Sequence, residues 1–211
     1  MSNAKHNILK KLRQALATPV PAPFPYTENA DDYFHASRQE PELEFAENFT
    51  ALLGKFSFCA HMKELGVQLN TLAKARNWNQ VFCVEEQLKS DLAVVGFTNT
   101  AGDIGHCQAS ITGCELLIAR TGSIMMSSAQ QSGRITSVYA PVHICIAFTD
   151  QLVYDIRDGL ELLRKKYRDN LPSFITLATG PSRTADIEKT LVVGVHGPKE
   201  VFCFLVDRSG S

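Results

Sequence analysis

The sequence predicts an α/β domain with a mostly parallel sheet flanked by helices, preceded by an N-terminal helical arm. Three observations carry this. Strand-like runs alternate with helical stripes from residue 42 onward. Residues 141–148 (PVHICIAF) are almost continuously apolar, the pattern of a strand covered on both faces. Residues 152–167 place Val153, Ile156, Leu160, Leu163 and Tyr167 on one stripe, the strongest helical signal in the chain. Strands separated by helices need crossover connections, which favour parallel pairing.

The elements follow in order. Ile8, Leu9, Leu12, Ala15 and Leu16 recur at helical spacing, predicting a helix over 5–17. The segment TPVPAPFP (18–25) ends it, because proline cannot continue the hydrogen-bond ladder. Residues 1–25 therefore read as a helix plus a Pro-rich linker, and 26–211 as the α/β domain. Helices are expected at 42–53 and 62–76, with strands at 55–60 and 80–84. Glycines break 91–112 into short pieces. Strands follow at 115–119 and 123–127, then 141–148, the helix at 152–167, and strands at 174–179, 191–195 and 201–206.

Composition narrows the function. The net charge of −1 and the lack of a basic run argue against nucleic acid as a partner. No apolar stretch approaches the roughly 20 residues of a membrane span, and the polar N-terminus lacks an apolar signal core, so a cytoplasmic chain is expected. None of the six cysteines pairs at C-x-x-C spacing, and four lie in apolar strand-like runs. They read as buried hydrophobes, with no metal site or cofactor held by this chain. Asp103-Ile-Gly-His-Cys107 mixes possible ligands but has no second set nearby.

Three loops have composition suited to a ligand. In Thr179–Glu188 (TGPSRTADIE), Gly180 permits a sharp turn, and Ser182 and Thr184 are good caps for a following helix. A helix N-terminus attracts a carboxylate or phosphate, and Arg183 could clamp the same anion. The plainer reading is a helix whose caps serve only its own backbone. In Val195–Lys199 (VHGPK), His196 stands beside Gly197 at a strand end and could act as acid, base or donor; otherwise it is a turn histidine. Thr121-Gly122-Ser123, after Arg120, joins two apolar strands and reads most simply as a tight turn. His143, inside an apolar run, reads as a satisfied core histidine. No G-x-G-x-x-G, P-loop or G-x-S-x-G signature is present.

Taken together, Thr121-Gly122-Ser123, Tyr139-Ala-Pro-Val-His143, Thr179–Glu188 and Gly194-Val-His-Gly-Pro198 resemble the LUD-domain (lactate-utilisation) family, closest to its short C-type members. The match runs over roughly residues 110–207. The resemblance implies a fold like that of the sugar-phosphate isomerase/CoA-transferase-like superfamily. It also implies an accessory role in oxidising L-lactate to pyruvate, with iron–sulfur clusters carried by partners: a cysteine-rich protein and a longer LUD protein with ferredoxin-type modules. Many members of the family have an acidic residue where this chain has Arg120. The expected site has Ser182, Arg183 and Thr184 holding a small carboxylate or phosphate, His196 facing it and Asp186 bracing the loop, with Thr121, Gly122, Ser123, Gly180 and Gly197 as further binding positions. His196 and Asp186 are the candidate catalytic residues. Alternatives are a stand-alone enzyme acting on a sugar phosphate, folate or acyl-CoA, or a non-catalytic assembly or regulatory module.

Overall fold

The apolar run at 142–148 becomes an inner strand of a six-stranded, all-parallel sheet in the computed structural model of the chain, which describes residues 2–17, 39–98, 100–101, 103–184, 192–194 and 196–208. The chain divides into two units, residues 1–36 and 37–211. The first contains α1 (Ser2–Leu16), the expected helix; the Pro-rich linker at 18–25 lies outside the described residues.

The second unit contains strands β1 (Lys55–Cys59), β2 (Val81–Phe82), β3 (Thr100–Ala101), β4 (Ala109–Thr112), β5 (Leu116–Ile118), β6 (Ser123–Ser127), β7 (Val142–Phe148), β8 (Leu152–Val153), β9 (Ile175–Ala178), β10 (Arg183–Thr184), β11 (Val192–Val193) and β12 (Glu200–Val206). Its helices are α2 (Pro41–Ala51), α3 (Met62–Ala75), α4 (Glu86–Val94), the single turn α5 (Thr136–Tyr139) and α6 (Ile156–Tyr167). The main sheet has the order β1-β12-β7-β4-β2-β3. A second, mixed sheet runs β8-β5-β6-β9, and β10 and β11 form a separate antiparallel ribbon.

Alternation along the strands builds three apolar layers. Val142, Ile144 and Ile146 of β7, with Phe202, Phe204 and Val206 of β12, pack with Leu65 and Leu69 of α3 and Leu88 and Leu92 of α4. The opposite face presents Cys145, Ala147, Val201, Cys203 and Leu205 to Phe45 and Phe49 of α2 and to Leu117, Ile124 and Met126 of the second sheet. The far side of that sheet, Leu116, Ile118 and Met125, is closed by Leu163 of α6. The layers are therefore helices, parallel sheet, mixed sheet and helix, with α2 sharing the central layer.

Local chemistry sets the helix ends. Pro41 occupies the first turn of α2, where its missing N–H costs no helical bond. The His61 imidazole accepts from Glu64 N–H while the Glu64 carboxylate accepts from Ala60 N–H, locking the start of α3. Asp155 accepts from Arg157 N–H, and Asp158 accepts from Asp155 N–H, so α6 begins at 156. That corrects the expected helix start at 152: Leu152 and Val153 pair with Leu117 and Ile118 in the second sheet. The division of the strands into two sheets was not foreseen either. The glycine-broken stretch holds the end of α4, β3, a 3₁₀ turn at Ile104–His106 and β4. Asp103 and His106 there bond each other at 2.8 Å on the surface. Among the described residues, no helix is long and apolar enough to cross a membrane.

Candidate functional site

The loop after β9 turns back at Gly180, whose φ is +137°. A Cβ there would stand 2.4 Å from the Leu52 carbonyl oxygen, so the turn can pass the end of α2 only as glycine. Beyond it, Ser182 N–H donates to Pro198 O and Gly194 N–H donates to Ser182 O, both at 2.9 Å. Arg183 and Thr184 then pair with Val193 and Val192. Ser182 is therefore followed by two extended residues and not directly by a helical turn; the rest of the expected helix start, from residue 185, lies outside the described residues. Arg183 is exposed, and Asp186 lies outside the described residues.

The ribbon fastens both signature loops to the main sheet. Lys199 N–H donates to Pro141 O at 2.8 Å, just ahead of β7. A Cβ on Gly197 would come within 2.9 Å of Ser182 Cβ, so the two loops touch. Between them and the sheet lies a cavity of about 190 Å³. Ser137 and Val138 of α5, His143 and Val201 at the amino ends of β7 and β12, Met126 of β6, and Thr176, Leu177 and Ala178 of β9 line it. Gly180, Ser182, His196, Gly197 and Pro198 complete the wall. Three separated segments, 139–143, 179–184 and 194–198, thus meet at one place.

His143 departs from its expected role. It is 1 % exposed, and its Nε2 lies 2.9 Å from Thr112 Oγ1. Its Nδ1 has no hydrogen-bond partner among the described residues. Leaving such an atom unpaired costs about 1–3 kcal/mol. Burial lowers the imidazole pKa from 6.5 to about 4, so the ring is neutral near neutral pH. Apolar neighbours on both sides hid this residue in the sequence; its place in the Tyr139–His143 segment was the available signal.

Thr121, Gly122 and Ser123 do not line this cavity. They form the turn between β5 and β6, where Gly122 has φ +59°. A Cβ there would lie 2.4 Å from Phe49 N, so α2 lies directly over the turn. Asn48 Nδ2 donates to the Ala119 and Arg120 carbonyls at 3.0 and 3.1 Å. Thr121 and Ser123 hydroxyls bond each other at 2.7 Å. Arg120 Nε donates to the Asp155 carboxylate at the start of α6, away from the cavity.

Two other hollows are better satisfied. One of about 250 Å³, at the carboxyl ends of β4 and β7, contains Glu85, but this carboxylate accepts from Gly113 N–H at 3.0 Å. Its Gln151 donates to the Cys114 carbonyl. The other, about 460 Å³ between β1 and α3, is mostly apolar, and its Lys55 pairs with Glu200. All six cysteines are buried, and burial pushes the Cys59 and Cys83 thiols up to about 11. No group of three or more His, Cys, Asp or Glu side chains among the described residues is arranged to hold a metal ion.

The layered architecture is that of an α/β protein with a mostly parallel sheet flanked by helices. The chain belongs to the LUD-domain family, whose profile matches residues 90–206. It is 26 % identical to an uncharacterised protein of Neisseria meningitidis serogroup B, over 94 % of this chain and 91 % of that one. It is 35 % identical to lactate utilization protein C of Deinococcus radiodurans, over 49 % of each chain. The same identity holds with lactate utilization protein C of Bacillus subtilis, over 49 % of this chain and 44 % of that one. The match thus spans about half the length of these two relatives or less. A crystal structure of a DUF162 family protein from Deinococcus radiodurans shares the fold, with TM-score 0.61 and 21 % identity over 82 % of this chain and 99 % of that one.

Proposed function

We propose that this chain is an accessory, cytoplasmic component of a system oxidising L-lactate to pyruvate. The two electrons leave through iron–sulfur partners, a cysteine-rich protein and a longer LUD protein with ferredoxin-type modules. The relatives named for lactate utilisation support the pathway, and the burial of every cysteine fits a chain that carries no cluster itself.

Within this reading the chain holds a small anion, a carboxylate or phosphate, in the cavity under the β10–β11 ribbon. The observation that carries the assignment is the convergence of Gly180, Ser182, His196 and Gly197 on one hollow. Ser182 offers a hydroxyl, and His196 sits on the exposed rim, where it can donate to the ligand. Arg183, exposed in the adjacent strand, would add positive charge next to Ser182. The test is anaerobic L-lactate-dependent dye reduction by the co-expressed iron–sulfur partners with and without this chain. Activity that needs the chain supports the reading; equal activity in its absence overturns it and returns weight to a stand-alone enzyme.

A further inference from the structure

We propose that His143 is a ligand-binding residue, and that with Ser182 and His196 it holds a short-chain 2-hydroxycarboxylate in the cavity at the amino ends of β7 and β12. The inference rests on reading this cavity as the ligand site of a lactate-utilisation component, and it narrows the ligand class.

The first support is the unpaired Nδ1. Nearly all buried polar atoms in folded proteins have a hydrogen-bond partner, so an exception in a cavity wall points to a group supplied from outside. Thr112 occupies the other ring nitrogen and fixes the imidazole plane. The second is charge. With the ring neutral, the wall meets a phosphate dianion with no buried positive charge, and burying that much uncompensated charge is unfavourable. A monocarboxylate extending toward His196 on the exposed rim asks for less.

The third support is hydrogen-bond complementarity. A neutral imidazole presents one donor and one acceptor. Because the Thr112 hydroxyl can serve either role, Nδ1 is free to donate to a carboxylate or to accept from a hydroxyl. A 2-hydroxycarboxylate carries both groups on neighbouring carbons. Size agrees: about 190 Å³ is roughly six water volumes, room for an acid of a few carbons. Met126, Val138 and Val201 supply the apolar wall for its alkyl end.

The experiment titrates the purified full chain with L-lactate and, separately, with inorganic phosphate. Calorimetry and the ¹⁵N signals of labelled histidine are followed. L-lactate is expected to bind more tightly than phosphate and to move the His143 Nδ1 resonance, a readout that needs no substitution. His143→Phe should weaken L-lactate binding at least tenfold, and Thr112→Val, which frees the ring, by a smaller factor. Failure of the parent chain to bind L-lactate, tighter binding of phosphate, or unchanged affinity in His143→Phe would overturn the proposal. Dye reduction that depends on the chain without L-lactate binding would sink the site and leave the accessory role standing. Binding without such dependence would do the reverse.

Discussion

Thr112 and His143, on the adjacent parallel strands β4 and β7, meet with hydroxyl and imidazole 2.9 Å apart in a fully buried position. Burial leaves the ring neutral, and this has a consequence for stability. Between the folded value of about 4 and the ordinary 6.5, the unfolded chain binds a proton that the folded chain refuses. The His143 contribution therefore lowers stability as pH drops through 6.5 and levels off below about 4, a loss of roughly 3 kcal/mol at most. Urea unfolding of the parent and His143→Phe at several pH values checks this. The variant should show a clearly shallower decline in that window, and parallel curves would refute the assignment.

Residues with a single structural duty were legible in the sequence. The apolar run of β7, the β5–β6 turn at Gly122 and the stripes of α2 and α3 lie close to where periodicity put them. Strand β4 escaped because Ser110 and Thr112 alternate with its apolar residues, although all four positions are buried. Both polar side chains find partners inside, Ser110 with the Thr136 carbonyl and Thr112 with His143. The convergence of three loops on one cavity depends on which strands are neighbours, and β7 and β12 are more than fifty residues apart in sequence. The pairing at the Ser182 loop was hidden for a local reason. The loop's composition suits a helix start, yet the hydrogen bonds from Ser182 to Pro198 and from Gly194 to Ser182 draw it into the ribbon.

Gly122 should tolerate no side chain. Its positive φ costs an alanine about 1 kcal/mol, and the new Cβ would run into the backbone of α2 at Asn48 and Phe49. Relief requires lifting α2, whose Phe45 and Phe49 are completely buried. Gly122→Ala is expected to destabilise by about 2–4 kcal/mol, whereas Gly133→Ala, also at positive φ but in open space, should cost about 1 kcal/mol. Thermal unfolding of the two variants side by side separates collision from backbone strain.

Arg120 at the β5–β6 turn is explained by Asp155. The aspartate is 7 % exposed and already caps α6 through Arg157 N–H; Arg120 compensates its charge and ties the β5–β6 turn to that helix. Arg120→Ala should cost about 1–3 kcal/mol by leaving a mostly buried carboxylate without its cation. A double-mutant cycle with Asp155→Asn should return a coupling of at least about 1 kcal/mol. Ligand affinity should stay within about twofold, since Arg120 lies off the cavity wall; a large loss of affinity would move the anion site toward the turn.

Glu115 gives the sharpest acid prediction. It is 5 % exposed and accepts from Ser127 Oγ at 2.6 Å, Tyr167 OH at 2.7 Å and Lys166 Nζ at 2.7 Å, linking the second sheet to the last turn of α6. Burial pushes its carboxyl up, but the bonds from Lys166, Ser127 and Tyr167 outweigh that and hold it below the usual value. A depressed folded value means stability that is fully present above the unfolded pKa of about 4.3 and is lost as pH falls through the folded one. This loss begins where the His143 contribution has nearly saturated, so the two are separable on one titration. Glu115→Gln should cost about 2–4 kcal/mol near neutral pH, because its amide meets three donors with one acceptor. It should also flatten the stability curve below about pH 4 while leaving the decline from 6.5 to 4 intact. Urea unfolding of the parent, Glu115→Gln and His143→Phe over the same pH series assigns each segment of the curve to its residue. A Glu115→Gln curve parallel to the parent below about pH 4 would show that the carboxylate contributes nothing to acid sensitivity.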